Sequence, residues 1–332
     1  MERRYKYGVV IAVFAALLSF GCNKSPEPEK VAKIAPSLPD SISFTKMALY
    51  PEGVDYDAAN HRFLVTSLHE GVVGAVTADG SYTPVFQNPA MISAIGLRID
   101  AKRDRVLVCN SDPGASIHTK PESQGKLAGL AAFKLSTGEL IKYVDLGALS
   151  NGGGHFCNDI ALDDDGNTYA TDSFSPIIYK IDTNYNASIF VQDKRFAGEG
   201  FNLNGIVVKD NYLIVAKDNE GVLFKFPLDD PAKFVEIKVD QNMPGADGLV
   251  MKSDGSLLVI ANGNTNKVFK LVSDDDWNSA KVTATVDTGP TFTTTGVEVN
   301  GSVYVLNARL DVLFNPKTEK HVETFEIKKV NQ

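Results

Sequence analysis

The sequence predicts an all-β protein, a six-bladed β-propeller of four-stranded antiparallel blades. Two observations predict it. Six times a polar or small residue followed by Gly, or once by Asp, opens a short apolar run: Glu52-Gly53-Val54, Ile95-Gly96-Leu97, Asn158-Asp159-Ile160, Asn204-Gly205-Ile206, Asp247-Gly248-Leu249 and Thr295-Gly296-Val297. The steps between them are 43, 63, 46, 43 and 48 residues, and a repeat of about 45 residues with several short strands is that of propeller blades. Turn dipeptides also recur one strand after these points, at Asp165-Gly166, Asp210-Asn211, Asp254-Gly255 and Asn300-Gly301. Such pairs supply the positive φ angles that tight hairpins need.

The chain begins with a targeting pattern, expected over 1–21. Arg3, Arg4 and Lys6 precede an apolar run from Gly8 to Phe20, short for a bilayer span. Leu18-Ser19-Phe20-Gly21-Cys22 resembles a bacterial lipoprotein cleavage box, with Cys22 as the lipid-bearing residue; the alternative is an ordinary secretory signal with an incidental cysteine. Residues 22–40 then read as a flexible tether, rich in Pro, Glu, Lys and Ser. Both readings export the protein, and the first anchors it to the bacterial cell envelope, in the periplasm or on the outer membrane, through the lipid alone.

The propeller is expected over 41–332. Its grammar is plainest in the third repeat, where Asn158–Leu162, Thr168–Asp172, Ile177–Ile181 and Ser188–Val191 read as four successive strands rich in β-formers. The 63-residue second step contains an insertion, Ser111 to Lys126, without strand pattern. It follows a second strand, so it is either a lid over the phase-point face or a tolerated surface loop. Ser41–Leu49 and His321–Lys329 both look strand-like, and one of them is expected to complete the last blade and remove an open sheet edge. Cys109 and Cys157 fall near one another in adjacent repeats and are either a disulfide or two small buried residues.

The net charge is −8, and no block of Lys and Arg occurs in the body, which argues against nucleic acid as a partner. Phosphate-loop, dinucleotide and Gly-x-Ser-x-Gly signatures are absent, as is Cys/His zinc spacing. Asp163-Asp164-Asp165-Gly166-Asn167 lacks the spacing and closing glutamate of a helix-loop-helix calcium site and reads as a hairpin turn.

Equivalent points of successive blades lie together near the central channel. Glu52, Asn158, Asn204 and Asp247 therefore converge there as side-chain oxygens, with Thr295 a weaker fifth. Two carboxylates in a narrow channel repel one another and lose hydration, so a cation is expected between them; the other reading is that these residues are purely structural hydrogen-bonded caps. Hard oxygen donors suit Ca²⁺ first, then Mg²⁺ or Mn²⁺, with Zn²⁺ a further candidate.

Pro51-Glu52-Gly53, Asn158-Asp159, Asn204-Gly205-Ile206 and Pro244-Gly245-Ala246-Asp247-Gly248-Leu249 together resemble the signature of the gluconolactonase/regucalcin (senescence marker protein) family. The resemblance implies a six-bladed propeller with one divalent metal held by Glu52, Asn204 and Asp247. It implies that Asn158 contacts substrate or a metal-bound water, and that Asp247 also serves as general base. The activity implied is hydrolysis of a small-molecule lactone, with metal-activated water attacking the carbonyl and Asn158 positioned to donate to the developing oxyanion. Ile95 and Thr295-Gly296 depart from the family pattern. The alternative is a non-catalytic cell-surface scaffold that binds a ligand or protein partner on the same ring.

A second layer is expected at the ends of the second strands: Ser67, Asn110, Asp172, Lys217, Asn262 and Asn307. Lys217 could orient an anionic substrate or pair with Asp172; the other reading is that all six cap blade turns. His155, beside Asn158, is read as a polar loop residue without a partnering base, and His69 and His118 carry less weight.

Overall fold

The computed structural model describes residues 1, 2, 8, 38–315, 317 and 321–331. Nearly all of the targeting segment and of the tether, Cys22 included, lies outside the described residues. Among the described residues no helix is long and apolar enough to cross a membrane.

Strand β1 (Ser41–Thr45) leads into five consecutive four-stranded blades. The first is β2 (Val54–Asp57), β3 (Arg62–Thr66), β4 (Val73–Thr77) and β5 (Tyr82–Phe86). The second is β6 (Ser93–Asp100), β7 (Arg105–Ser111), β8 (Lys126–Lys134) and β9 (Leu140–Asp145). The third is β10 (His155–Leu162), β11 (Thr168–Asp172), β12 (Ile177–Ile181) and β13 (Ala187–Gln192). The fourth is β14 (Leu203–Lys209), β15 (Tyr212–Lys217), β16 (Val222–Pro227) and β17 (Val235–Val239). The fifth is β18 (Ala246–Met251), β19 (Leu257–Ala261), β20 (Lys267–Val272) and β21 (Ser279–Asp287). The last blade is β22 (Thr293–Val299), β23 (Ser302–Asn307), β24 (Thr324–Val330) and, outermost, β1. A one-turn helix, α1 (Leu310–Leu313), stands between β23 and β24.

Closure corrects one expectation. Both candidate strands are used: β24 supplies the third strand and β1 the fourth, in antiparallel register from Ser41↔Lys328 to Thr45↔Thr324. The two ends of the body are thus hydrogen-bonded to each other. In the third blade the middle strands fall where the sequence puts them. The inner strand, however, starts three residues earlier, because His155 and Phe156 pair in parallel with Lys126 and Leu127 of the second blade.

Blades pack face to face, so second strands such as Leu257–Ala261 are buried at every residue, whereas the outer strand Val235–Val239 keeps only Ile237 buried. Between the third and fourth blades, Ala161, Tyr169 and Ile178 meet Ile206, Leu213 and Phe226. The hairpin residues Asp210, Gly166, Gly255, Asn300 and Gly301 all adopt positive φ, as their turn chemistry requires. Asp163 accepts from the Asn167 backbone and side-chain amides across the hairpin turn read from the sequence.

A disulfide joins Cys109 of β7 to Cys157 of β10, with Cα atoms 5.4 Å apart and both residues buried. The insertion is an ordered loop. Asp112 gathers it by accepting from Thr119 Oγ1 and Ser123 Oγ at 2.7 Å each. Ile117 and Ser116 then fasten its far side to the His69 carbonyl of the first blade.

Candidate functional site

Five of the six inner strands carry an irregularity at the phase point; β2 of the first blade pairs regularly. Register shifts fall at Ala94/Leu97, Cys157/Ile160, Leu203/Ile206, Ala246/Leu249 and Thr293/Gly296. A bulge leaves its extra residue outside the ladder and re-aims side chains. At these sites the residues released are Asn158, Asn204 and Asp247, and they turn into the channel with Glu52, two residues before β2. The glycine that follows is set by close approach. A Cβ on Gly53 would lie 2.6 Å from the carbonyl oxygen of Ile95, the phase point of the next blade. Gly96 and Gly205 abut the carbonyls of Asn158 and Asp247 in the same way.

The four oxygen-bearing residues line one cavity of about 190 Å³. Asn158 donates through Nδ2 to Ser173 Oγ at 2.8 Å, and Ser173 in turn donates to the Leu203 carbonyl at 2.6 Å. That network fixes the amide, leaving Asn158 Oδ1 buried without a partner; Glu52 Oε2 is in the same condition. Asn158 therefore presents an acceptor to the cavity, which suits a cation ligand better than the oxyanion donor expected from the sequence. Asp247 accepts from Asn262 Nδ2. Thr295 lies off the cavity wall, with its hydroxyl buried and unpartnered.

The electrostatics are those of crowded anions. Burial, then the neighbouring Asp159 carboxylate, pushes Glu52 up to about 8, with Arg98 partly opposing. Burial and the charges of Glu52 and Asp218 push Asp247 well above the usual carboxylate range. Arg98 sits 3.7 Å from Asp159, further along the inner strands, where it lines a separate cavity with Asp55. Among the described residues no three His, Cys, Asp or Glu side chains form a ready-made metal cluster. The donor set is mixed: Glu52 and Asp247 carboxylates with Asn158 and Asn204 amides. Two buried oxygens without partners, among carboxylates that burial and mutual charge make costly to ionise without a counter-charge, fit a hard divalent cation.

Asp218 also lines the cavity, and burial pushes it up to about 6 against a hydrogen bond from Asn204. Sequence reasoning missed it by one residue. The pairings Cys157↔Asp172, Leu203↔Lys217 and Thr293↔Asn307 put Asp172, Lys217 and Asn307 at one position of their blades. Their side chains all turn back to their own blade's entering loop. Asp172 bonds His155, the Phe156 amide and Tyr179; Asn307 bonds Thr291 and Thr293. Lys217 binds the Arg195 and Ala197 carbonyls and Glu220, so it neither reaches Asp172 nor faces the cavity. Ser67 and Asn110 behave alike, bonding Leu49 and Ile92. Side chains alternate along a strand, so the next residue faces inward. Those next residues include Leu68, Ser173, Asp218 and Asn262, of which Leu68, Asp218 and Asn262 line the cavity.

His155 is partnered after all: Nδ1 lies 2.7 Å from Asp172 Oδ2 and Nε2 2.8 Å from Ser150 Oγ. Neither it nor Asp172 lines the Glu52–Asp247 cavity. His69 Nδ1 holds the Ala115 carbonyl of the inserted loop at 2.7 Å. No residue of that loop lines the cavity, so the loop is no lid in this structure. The mouth is instead walled by Phe156, Phe201, Phe292, Leu310 and Phe314.

Comparison with solved structures now decides the fold. A regucalcin from Agrobacterium tumefaciens aligns at TM-score 0.60 with 18% identity, over 86% of this chain and 92% of that one. A gluconolactonase from Xanthomonas campestris aligns at TM-score 0.59 with 14% identity, over 88% and 91%. The chain has the gluconolactonase and regucalcin fold. The allergen Mala s 1 of Malassezia sympodialis shares it, at TM-score 0.71 with 17% identity over 89% and 97%. No protein-family model and no curated protein sequence matches the chain.

Proposed function

We propose that the protein is an exported, divalent-metal-dependent lactone hydrolase, held to the cell envelope through a lipid on Cys22. The observation that carries the proposal is the pair of buried, unpartnered oxygens, Glu52 Oε2 and Asn158 Oδ1, in one cavity with Asp247 and Asn204. The gluconolactonase fold supports the reaction class, and the Cys109–Cys157 disulfide supports an oxidising compartment.

Glu52, Asn158, Asn204 and Asp247 would hold the cation, Ca²⁺ first. Such an ion polarises an ester carbonyl and makes water a better nucleophile near neutral pH. The chain's own residues do the rest. Ser173 and Asn262 fix the orientations of Asn158 and Asp247. Asp247 and Asp218 are the carboxylates available to take the proton of the attacking water, and the position of Asp218 near 6 suits a base working close to neutrality. Water adds to the acyl carbon, the ring C–O bond breaks, and the proton returns to the departing oxygen to give a hydroxy acid.

The test is hydrolysis of a lactone panel by the purified chain, after chelation and after Ca²⁺ is restored. Turnover should require the metal and fall at least about 100-fold in Asp247→Asn, the usual scale for losing a positioned base, while the fold is kept. A folded, metal-loaded protein with no turnover on any lactone would favour the ligand-binding scaffold.

A further inference from the structure

The cavity is divided by polarity. Its floor carries carboxylates and carboxamides, with Ile95 the one apolar phase-point residue among them, and the rest of the lining is hydrocarbon: Leu68, Phe156, Phe201, Phe292, Leu310 and Phe314. Among the lining residues there is no Arg, Lys, His, Ser, Thr or Tyr. A polyhydroxylated ring resting on the floor would press its remaining hydroxyls against aromatic faces, and buried hydroxyls without partners are costly. An anionic substituent would meet no cationic side chain on the wall.

The apolar wall is built, not incidental. Phe156, Phe174 and Phe201 form a closed trio with ring centroids 5.1–5.3 Å apart. Asp172 holds two of them by their backbones, accepting from the Phe156 and Phe174 amides at 2.8 and 3.0 Å. His155 and Tyr179 anchor that carboxylate from behind. Lys217 pins the carbonyls of Arg195 and Ala197, in the segment that leads to Phe201. Across the mouth, Phe292 is presented from a left-handed backbone conformation, φ 52°, which a non-glycine residue adopts only when its surroundings impose it. Phe314, after α1, is 43% exposed at the rim.

We infer that this site takes lactones or esters bearing an uncharged alkyl or aryl substituent, with the ester at the oxygen floor and the substituent against the Phe156–Phe201 and Phe292–Phe314 walls. The inference rests on the hydrolase reading above for its ester but on the wall alone for its apolar substituent.

The test uses the Ca²⁺-loaded protein and γ-lactones with side chains from methyl to hexyl, beside glucono-δ-lactone. kcat/KM should rise about fourfold per methylene, the ratio expected for burying one CH₂, until the chain passes Phe314. The sugar lactone should be at least about 100-fold poorer than the hexyl compound, the fold equivalent of a few such methylenes. Phe201→Ser and Phe314→Ser should flatten the dependence on chain length, with folding checked by circular dichroism. Calorimetric binding of the matching alkyl lactams, which are not turned over, gives a readout free of catalysis. Lactam affinity that climbs with chain length, without hydrolysis of any lactone, would sink the hydrolase and keep the apolar ligand class. Equal or better turnover of glucono-δ-lactone, with no dependence on alkyl length, would keep the hydrolase and overturn this inference.

Discussion

Reducing the Cys109–Cys157 bond should destabilise the ring by an amount that follows from its place in the chain. The bond joins β7 to β10 across a sequence separation of 48 residues. Loop-closure entropy for a loop of that length amounts to about 4 kcal/mol at 25 °C. A β-body of about 290 residues has an unfolding entropy near 0.6 kcal/mol/K, so the midpoint should drop by about 7 °C. Both sulfurs are buried, so reductant must be added to unfolded protein before refolding. Oxidised and reduced forms are then compared by denaturant titration and thermal melting, with the chelator or Ca²⁺ level held constant. Cys109→Ala/Cys157→Ala should track the reduced form, with a small further loss for the missing sulfur contacts. A difference below about 1 kcal/mol would refute the reasoning, because the bond would then constrain nothing that the register of β7 and β10 does not already fix.

Three further outcomes are expected. In chelated protein the raised carboxylates bind more protons folded than unfolded. Their contribution is complete below their ordinary values, 4.5 for Glu52 and 3.8 for Asp218, and is lost as pH rises through about 8 for Glu52 and about 6 for Asp218. The melting temperature should therefore fall from pH 5 to pH 8.5 and stay level when Ca²⁺ is present; a metal-free melting temperature that rises over that range would contradict the site's electrostatics. Lys217→Met should cost roughly 2–4 kcal/mol by orphaning the Arg195 and Ala197 carbonyls, yet leave Ca²⁺ affinity unchanged. Asp218→Asn should do the opposite, holding the melting temperature while lowering turnover.

What was legible in the sequence is what the blade period controls. Inner strands crowd the axis, so a Gly recurs after five of the six phase points, and Glu52, Asn158, Asn204 and Asp247 could be read as neighbours from spacing alone. Asp218 was lost to strand alternation. Choosing Lys217 as the strand end selects the face that ties down the entering loop, and one more residue reaches the cavity. The walls were not legible. Phe201, Phe292 and Phe314 sit in connections of unequal length, where no period predicts which side chain leans over the channel. Closure was read only in part, since pairing Ser41 with Lys328 depends on a contact between chain ends that no local pattern encodes. The role of Asn158 turned on its hydrogen bond to Ser173, which decides the atom it offers.

The central claim is that the axial oxygens hold a divalent cation, and calorimetric titration of Ca²⁺ into chelated protein tests it most directly. One ion should bind per chain, with Glu52→Gln and Asn204→Ala each weakening it by more than the roughly 10–100-fold typical of losing a supporting partner. No saturable binding, or undiminished binding by Glu52→Gln, would contradict the account.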